Sequence, residues 1–317
     1  MPDSLTIELT YRCNLSCGHC YLDREKREGR DRLSTARVLE LIRDCRESGV
    51  FLVCFTGGEI FMRDDLFTIL EECSRSGIRM RLLTNGSRID DRAARALAGL
   101  TIDSVEVSVP AFHERTFAEV TGVKGARDQV YNALGLLLKE GIRTVVKTCA
   151  TRQNVRDVVR VAEHARRYGL EFNLDGEIMP RLDGSVTALR LAPDEISSLR
   201  RRCYLWRGRR PLVPSVYPRG RVFGCGAGTD RFVVDPAGYL KPCVFIDKPR
   251  VDVFRDGLLP AMTRVRRFIN SLRPPDDWEC RRCAFSDRCN RCPAYSFLQD
   301  RTFFSCGQIK EFFNETV

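Results

Sequence analysis

The chain has no apolar run near the roughly 20 residues that a membrane-spanning helix needs. Its start, Met1-Pro-Asp-Ser-Leu-Thr6, has no basic stretch followed by an apolar one, so no secretory signal is visible. It has no internal repeat and no low-complexity segment, which excludes solenoids and long disordered tails. These absences leave a cytoplasmic globular protein. The 317 residues allow one large domain or two smaller ones, and a hydrophobic fraction of 43% is ordinary for either. The 52 Lys and Arg outnumber the 42 Asp and Glu, for a net charge of +10. That balance favours an acidic partner, such as a peptide or a phosphate- or carboxylate-bearing molecule, unless it is only a soluble basic surface. No membrane partner is expected, and nucleic acid is not the expected ligand.

Cysteine, by contrast, is abundant, with fifteen in the chain. A small secreted protein would use them in disulfides. In a long chain without a signal, in a compartment that keeps thiols reduced, clustered cysteines point to metal. Cys13, Cys17 and Cys20 follow a Cys-x3-Cys-x2-Cys spacing. Three thiolates this close can hold three irons of a four-iron cluster and leave the fourth iron open to a second ligand. The alternative is a structural zinc loop. Zinc would want a fourth ligand, and His19, the nearest, adjoins Cys20 too closely for an easy shared tetrahedron.

The first half alternates short apolar runs with amphipathic helical patterns. Strands are expected at 5–9, 51–55, 79–83, 104–109, 144–148 and 170–175, rich in Val, Ile, Leu or Phe as buried parallel strands are. Ser34 is placed to cap a helix with Val38, Leu41, Ile42 and Cys45 on its apolar face and Gly49 after it. Asp64 or Asp65 opens another, with Leu66, Ile69, Leu70 and Cys73 on one face. Helical patterns recur at 125–140 and 155–168. The alternation predicts a right-handed parallel α/β sheet, open or curled into a barrel. Functional loops then lie at the carboxyl ends of the strands, where the first cysteine group falls. After about Ser185 the character changes. A helix at 193–206 leads into an Arg- and Pro-rich stretch, then a hairpin at 232–243 turning at 236–238, then a cysteine-rich remainder with little regular structure.

Two further strand-end loops carry polar signals. Thr56-Gly-Gly-Glu-Ile60 combines glycines, which allow close backbone approach, with a fixed acceptor in Glu59. Thr84-Asn-Gly86 is a turn signal. Together with the cysteine loop these resemble the radical SAM superfamily, along essentially the whole chain. The resemblance implies a partial (β/α)6 TIM-like barrel. It assigns Cys13, Cys17 and Cys20 to a 4Fe-4S cluster whose open iron chelates S-adenosylmethionine (SAM). It assigns Gly57, Gly58 and Glu59 to the SAM amino group, and places Asn85 and Ser108 where the family often puts SAM contacts. The implied chemistry is one-electron cleavage of SAM to methionine and a 5′-deoxyadenosyl radical, which takes an unactivated hydrogen from the substrate. An electron donor such as flavodoxin or ferredoxin is then required.

The later cysteines resemble a SPASM domain, which holds two auxiliary iron-sulfur clusters. Cys225 is followed by Gly238 and Cys243, then Cys280-x2-Cys283-x5-Cys289-x2-Cys292 and Cys306. The family pattern usually has three residues, not two, before the fourth cysteine of the central run. By the family's arrangement Cys225, Cys243 and Cys292 hold the first auxiliary cluster, whose fourth iron is left open or takes Asp230 or a substrate atom. Cys280, Cys283, Cys289 and Cys306 hold the second. Zinc knuckles are the alternative. The expected organisation is a barrel at 1–185, a helical Arg-rich linker at 186–220 and the auxiliary-cluster region at 221–317.

Five cysteines remain. Cys45, Cys54 and Cys73 read as core, and Cys203 sits in an Arg-rich helix. Cys149 shares strand parity with Lys147, so both point into a barrel, where Cys149 is either packing or a hydrogen donor to a substrate radical. Asp175, Glu177 and Arg181 follow the sixth strand, near a substrate or in a salt-bridged linker. The arginines at 200–210 read as a solvated face before a binding patch. The resemblance favours modification of a ribosomally made peptide: a crosslink, an oxidation or an epimerisation. A first cysteine at position 13 leaves no room for a leader-binding domain, so a separate leader-binding protein is one expectation. The alternatives are dehydrogenation or epimerisation of a small molecule such as an aminosugar, and a zinc-stapled adaptor without catalysis.

Overall fold

Six parallel strands each carry two different faces. They are β1 (Ser4–Thr10), β2 (Leu52–Gly57), β3 (Arg79–Thr84), β4 (Ile102–Ser108), β5 (Thr144–Cys149) and β6 (Glu171–Asp175). A computed structural model describes residues 4–22, 31–185, 187–204, 222–283 and 292–306. Outward residues such as Leu5, Ile7, Val53, Phe55, Met80 and Leu82 are buried beneath helices. The alternate residues are polar: Glu8, Cys54, Arg81, Glu106, Lys147 and Asn173. Cys54, expected in the core, is therefore on this polar face, where Arg81, Glu106 and Lys147 act on its thiol. The strands are half apolar, not apolar throughout, because one face lines a wet interior.

Helices alternate with these strands: α1 (Thr35–Glu47), α2 (Leu66–Arg75), α3 (Asp91–Ala98), α4 (Glu114–Thr121), α5 (Ala126–Lys139) and α6 (Val158–Arg167). The cap and face of α1 follow from its sequence. Ser34 Oγ accepts from Arg37 N at 3.4 Å, and Val38, Leu41, Ile42 and Cys45 are all buried. In α2 the apolar face is again as expected, but the Asp65 cap makes no side-chain bond to the helix. Its carboxylate instead receives Arg63 Nε and Nη2, at 2.8 and 2.6 Å. Arg63 Nη1 reaches on to Leu9 O and Leu33 O. The next helix, α7 (Pro193–Tyr204), lies against α6, and Tyr204 Oη accepts from Leu174 N at 2.8 Å.

The sheet runs β6-β5-β4-β3-β2-β1-β7-β8-β9. β7 (Arg231–Val234) pairs in parallel with β1, Ser4 opposite Arg231 and Ile7 opposite Val234. β8 (Tyr239–Lys241) closes the expected hairpin, and β9 (Val251–Asp252) adds a third strand. At the turn Asp235 Oδ1 accepts from Ala237 N and Tyr239 N, and Gly238 takes a φ of +84°. The hairpin thus continues the barrel's own sheet. The sequence reading did not foresee α8 (Leu258–Ser271), whose Leu258, Ala261, Met262, Val265 and Ile269 are buried. α9 (Pro293–Asp300) covers a smaller core built on Phe297, Phe303 and Ile246. Among the described residues no helix is long and apolar enough to cross a membrane.

One polar contact ties the hairpin to the barrel. Glu8 is 0% exposed, and Lys241 Nζ lies 3.0 Å from its Oε2, itself 4% exposed. Tyr11 Oη donates to Glu8 Oε2 at 3.1 Å and Tyr21 Oη to Oε1 at 2.9 Å. Removing one partner of a buried pair strands the other charge, which costs about 3–5 kcal/mol. Lys241→Met should therefore lower unfolding free energy by about that much in chemical denaturation. Adding Glu8→Gln should restore part of the loss, because no charge is then stranded. A loss in Lys241→Met below about 1 kcal/mol would contradict this account.

Candidate active site

The loop after β1 carries Cys13, Cys17 and Cys20, and three neighbours fix its path. Ser16 N donates to Thr121 O at 2.8 Å and Gly18 N to Val120 O at 3.2 Å, using the free carbonyls at the end of α4. Arg181 Nη2 donates to Gly18 O at 3.1 Å, and Leu182 N to Tyr21 O at 3.0 Å. Arg181, expected near the substrate, thus holds the cysteine loop and is not among the side chains lining the cavity. Tyr21 meets the Phe245 ring edge-on at 5.2 Å.

The loop after β2 is stitched to the same segment. Gly58 N donates to Thr10 O at 2.7 Å and Glu59 N to Arg12 O at 2.9 Å. A side chain at Gly58 would drive its Cβ into the carbonyls of Arg12 and Tyr11, and one at Gly57, with φ +139°, into that of Thr10. The glycines are required by the approach of two loops. Glu59 is wholly buried, and its carboxylate accepts from Phe61 N, Thr84 Oγ1 and Asn85 N at 3.0, 2.7 and 2.6 Å. Burial pushes its carboxyl above the ordinary range, while these hydrogen bonds pull the other way. The backbone of Gly57 and Gly58 faces the cavity; the Glu59 carboxylate braces the β2 and β3 loops from behind.

Asn85 Nδ2 lies 3.8 Å from Cys13 Sγ and 3.0 Å from Asn14 Oδ1, and Leu15 N lies 3.5 Å from the same sulfur. Its Oδ1 accepts from Ser87 N and Oγ. Burial is the main cause of the raised Cys13 thiol, and the Leu15 and Asn85 donors oppose it.

A cavity of about 360 Å³ opens at these strand ends. Cys13, Cys17, Cys20, Gly57, Gly58 and Asn85 form one side. Ser108 at the end of β4, Lys147 and Cys149 on β5, Asp175 at the end of β6 and Glu177 just after it line the same cavity. Lys147 Nζ is 3.1 Å from Glu106 Oε2. Cys149 pairs in register with Asp175, and burial first, then Asp175 and Cys17, hold its thiol strongly protonated. His19 lines the same space with Nδ1 buried and without a hydrogen-bond partner. Among the described residues no three His, Cys, Asp or Glu side chains converge as ligands of a single metal ion. Three thiols on one cavity wall, one of them receiving two N–H donors, suit an iron-sulfur cluster with one open iron.

The later cysteines divide as follows. Cys292 acts electrostatically on Cys243, and Cys225 acts on both, so these three are neighbours. Burial is the chief cause that pushes the Cys243 thiol up to about 12. Asp230 is exposed, with Oδ2 accepting from Thr229 Oγ1. Cys280 follows Trp278, whose Nε1 donates to Phe304 O at 2.7 Å, which brings the Cys280 turn to the segment bearing Cys306. Cys283 follows that turn, and Cys289 lies outside the described residues. The sequence reading missed Glu8, Lys241, Arg63 and Glu106. A charged residue inside the apolar run Leu5-Thr-Ile-Glu8-Leu9 was the available signal for the first.

The radical SAM superfamily model matches residues 7–165, half of the chain. The chain belongs to the radical SAM superfamily, and SAM and a 4Fe-4S cluster are the cofactors that membership implies. It is 29% identical over 316 residues to the mycofactocin maturase MftC of Mycolicibacterium smegmatis, covering 94% of this chain and 79% of that protein. It is 24% identical to the AdoMet-dependent heme synthase of Oleidesulfovibrio alaskensis, covering 92% of this chain and 82% of that one. Native anSMEcpe with bound AdoMet and Cp18Cys peptide shares the fold, with a TM-score of 0.75 at 18% identity over 98% of this chain and 94% of that one.

Gly58→Ala should displace the backbone between Tyr11 and Cys13 and cost the enzyme one cluster, about four irons per chain after anaerobic reconstitution. Gly135→Ala, where a Cβ meets nothing within 4 Å, is the control and should keep full iron. Full iron in both would show that the loop contact does not set the cluster site.

Proposed function

We propose that this chain is a radical SAM maturase that modifies a ribosomally made peptide in the cytoplasm. The observation that carries the reading is one cavity lined by three thiols of a Cys-x3-Cys-x2-Cys loop, by Gly57 and Gly58, and by Cys149, Asp175 and Glu177. Similarity to a mycofactocin maturase along 94% of the chain supports the substrate class. Cys13, Cys17 and Cys20 would hold three irons, and the Gly57-Gly58-Glu59 segment would hold the SAM amino group. Asn85 would bond a cluster sulfur as well as line the SAM site, and Ser108 would stand at its far edge. Bound there, the cluster and SAM supply one-electron cleavage of SAM and a radical able to abstract an unactivated hydrogen. The surrounding walls exclude water and fix the substrate's distance.

Cys225, Cys243 and Cys292 would hold one auxiliary cluster, and Cys280, Cys283, Cys289 and Cys306 a second. In an oxidation these would accept the second electron. In an epimerisation Cys149, kept as S–H by its surroundings, would return a hydrogen atom to the substrate radical and be left as a thiyl, which one electron from the donor and one proton restore to the thiol. Flavodoxin or ferredoxin is the expected electron donor, and a separate leader-binding protein a possible partner. The small-molecule reading is the second one, favoured by the likeness to a heme synthase along 92% of the chain.

Reconstituted enzyme given SAM and dithionite should release 5′-deoxyadenosine, and Cys13→Ala should release none. Iron should approach about twelve per chain, and far fewer than about eight would sink the three-cluster arrangement. Absence of 5′-deoxyadenosine from fully loaded wild type would overturn the proposal.

A further inference from the structure

Two segments far apart in the sequence share one wall of the cavity. Tyr21 directly follows Cys20, and Phe245 stands two residues after Cys243. Both line the cavity, and their rings meet edge-on at 5.2 Å. Phe245 N lies 3.3 Å from Cys243 Sγ, so this ring belongs to a turn built on that thiol. Behind the wall stands Glu8, wholly buried. Its Oε1 accepts from Tyr21 Oη at 2.9 Å. Its Oε2 accepts from Lys241 Nζ at 3.0 Å and from Tyr11 Oη at 3.1 Å. Lys241 Nζ also lies 3.4 Å from Val244 O, in the same turn as Phe245.

Water cannot replace these partners, because the carboxylate has no exposed surface and the lysine side chain is almost as deeply buried. Lys241 itself is not among the side chains lining the cavity. It reaches that wall only through Glu8 and the Tyr21 hydroxyl, and through the Val244 carbonyl beside Phe245. A buried network of this kind behaves as a unit, since losing one member leaves the others without partners.

We propose that Lys241 and Glu8 are positioning residues for the SAM site: Lys241 orients Glu8, Glu8 holds Tyr21, and Tyr21 sets the Cys20 end of the cysteine loop. The proposal rests on the membership of the radical SAM superfamily and extends it. The hairpin strand β8 is then part of the architecture of the SAM site, although it contributes nothing to the cysteine loop itself.

The test is a double-variant cycle on the iron-loaded full chain. It is read by SAM affinity in calorimetry and by the SAM-dependent part of the electron paramagnetic resonance signal after reduction. Tyr21→Phe keeps the ring against Phe245 and removes only the hydroxyl; Lys241→Met breaks the other end. Each should weaken SAM binding about tenfold and shift the g values of the SAM-bound cluster. The two together should weaken it about tenfold in total, not about a hundredfold, because both break the same relay. Effects that multiply, unchanged g values, or unchanged SAM affinity in either variant would overturn the proposal. If Lys241→Met does not fold, Lys241→Gln takes its place in the cycle under the same criteria. Absence of SAM binding to iron-loaded wild type would instead overturn the cofactor assignment beneath it.

Discussion

Glu8 is a carboxylate without water, and the site is organised around the groups that keep it there. Three donors from three places reach it: Lys241 from the hairpin strand β8, Tyr11 from before the first cluster cysteine, and Tyr21 from after the last. The cysteine loop is thus gripped at both ends by one buried anion on β1. The same anion neutralises the lysine of the cysteine-rich C-terminal region. A buried charge pair contributes little net stability against an apolar replacement, but it tolerates only one arrangement. What this one fixes is register: β7 against β1, and the cysteine loop above both.

A second constraint acts on the backbone. The ends of β1 and β2 approach so closely that only glycine fits at positions 57 and 58, and the amides of Gly58 and Glu59 donate to the carbonyls of Thr10 and Arg12. Glu59, with its three donors, carries the stitching on to β3, and Asn85 carries it back to Cys13. The motif residues form a continuous chain of contacts in which each loop is shaped by the next. The glycines are required by that architecture before any ligand is considered.

Much of this was legible in the sequence, and what was not has a physical reason. Helix faces such as Val38, Leu41, Ile42 and Cys45 follow a strong 3.6-residue period, and every one is buried. The six strands were legible from their apolar residues, but their inward polar partners were not. A single Glu8 or Arg81 in a short apolar run carries no period of its own. The hairpin at 232–243 was legible because its turn chemistry is local. Its pairing with β1 was not, since nothing within the hairpin encodes a partner at the other end of the chain. The helix α8 was obscured by Arg264, Arg266 and Arg267 within its apolar stripe, and Arg266 spends its guanidinium on Thr229 O. Arg181 was read from its position after β6; its reach back to Gly18 depends on a fold that sequence spacing does not convey.

The division of labour across the cavity follows from strand order. β1, β2 and β3 are neighbours, so their loops meet and are hydrogen-bonded to one another. β5 and β6 close the opposite side, and their register sets Cys149 beside Asp175. The barrel's inner charges could have been matched on that side too, as they are deeper in at Glu106 and Lys147. At the mouth Asp175 and Glu177 are exposed, so the pairing that buried charges need is not required there. Deeper in, charge is paired within the fold; at the strand ends it is left to solvent, which meets a carboxylate without a partner.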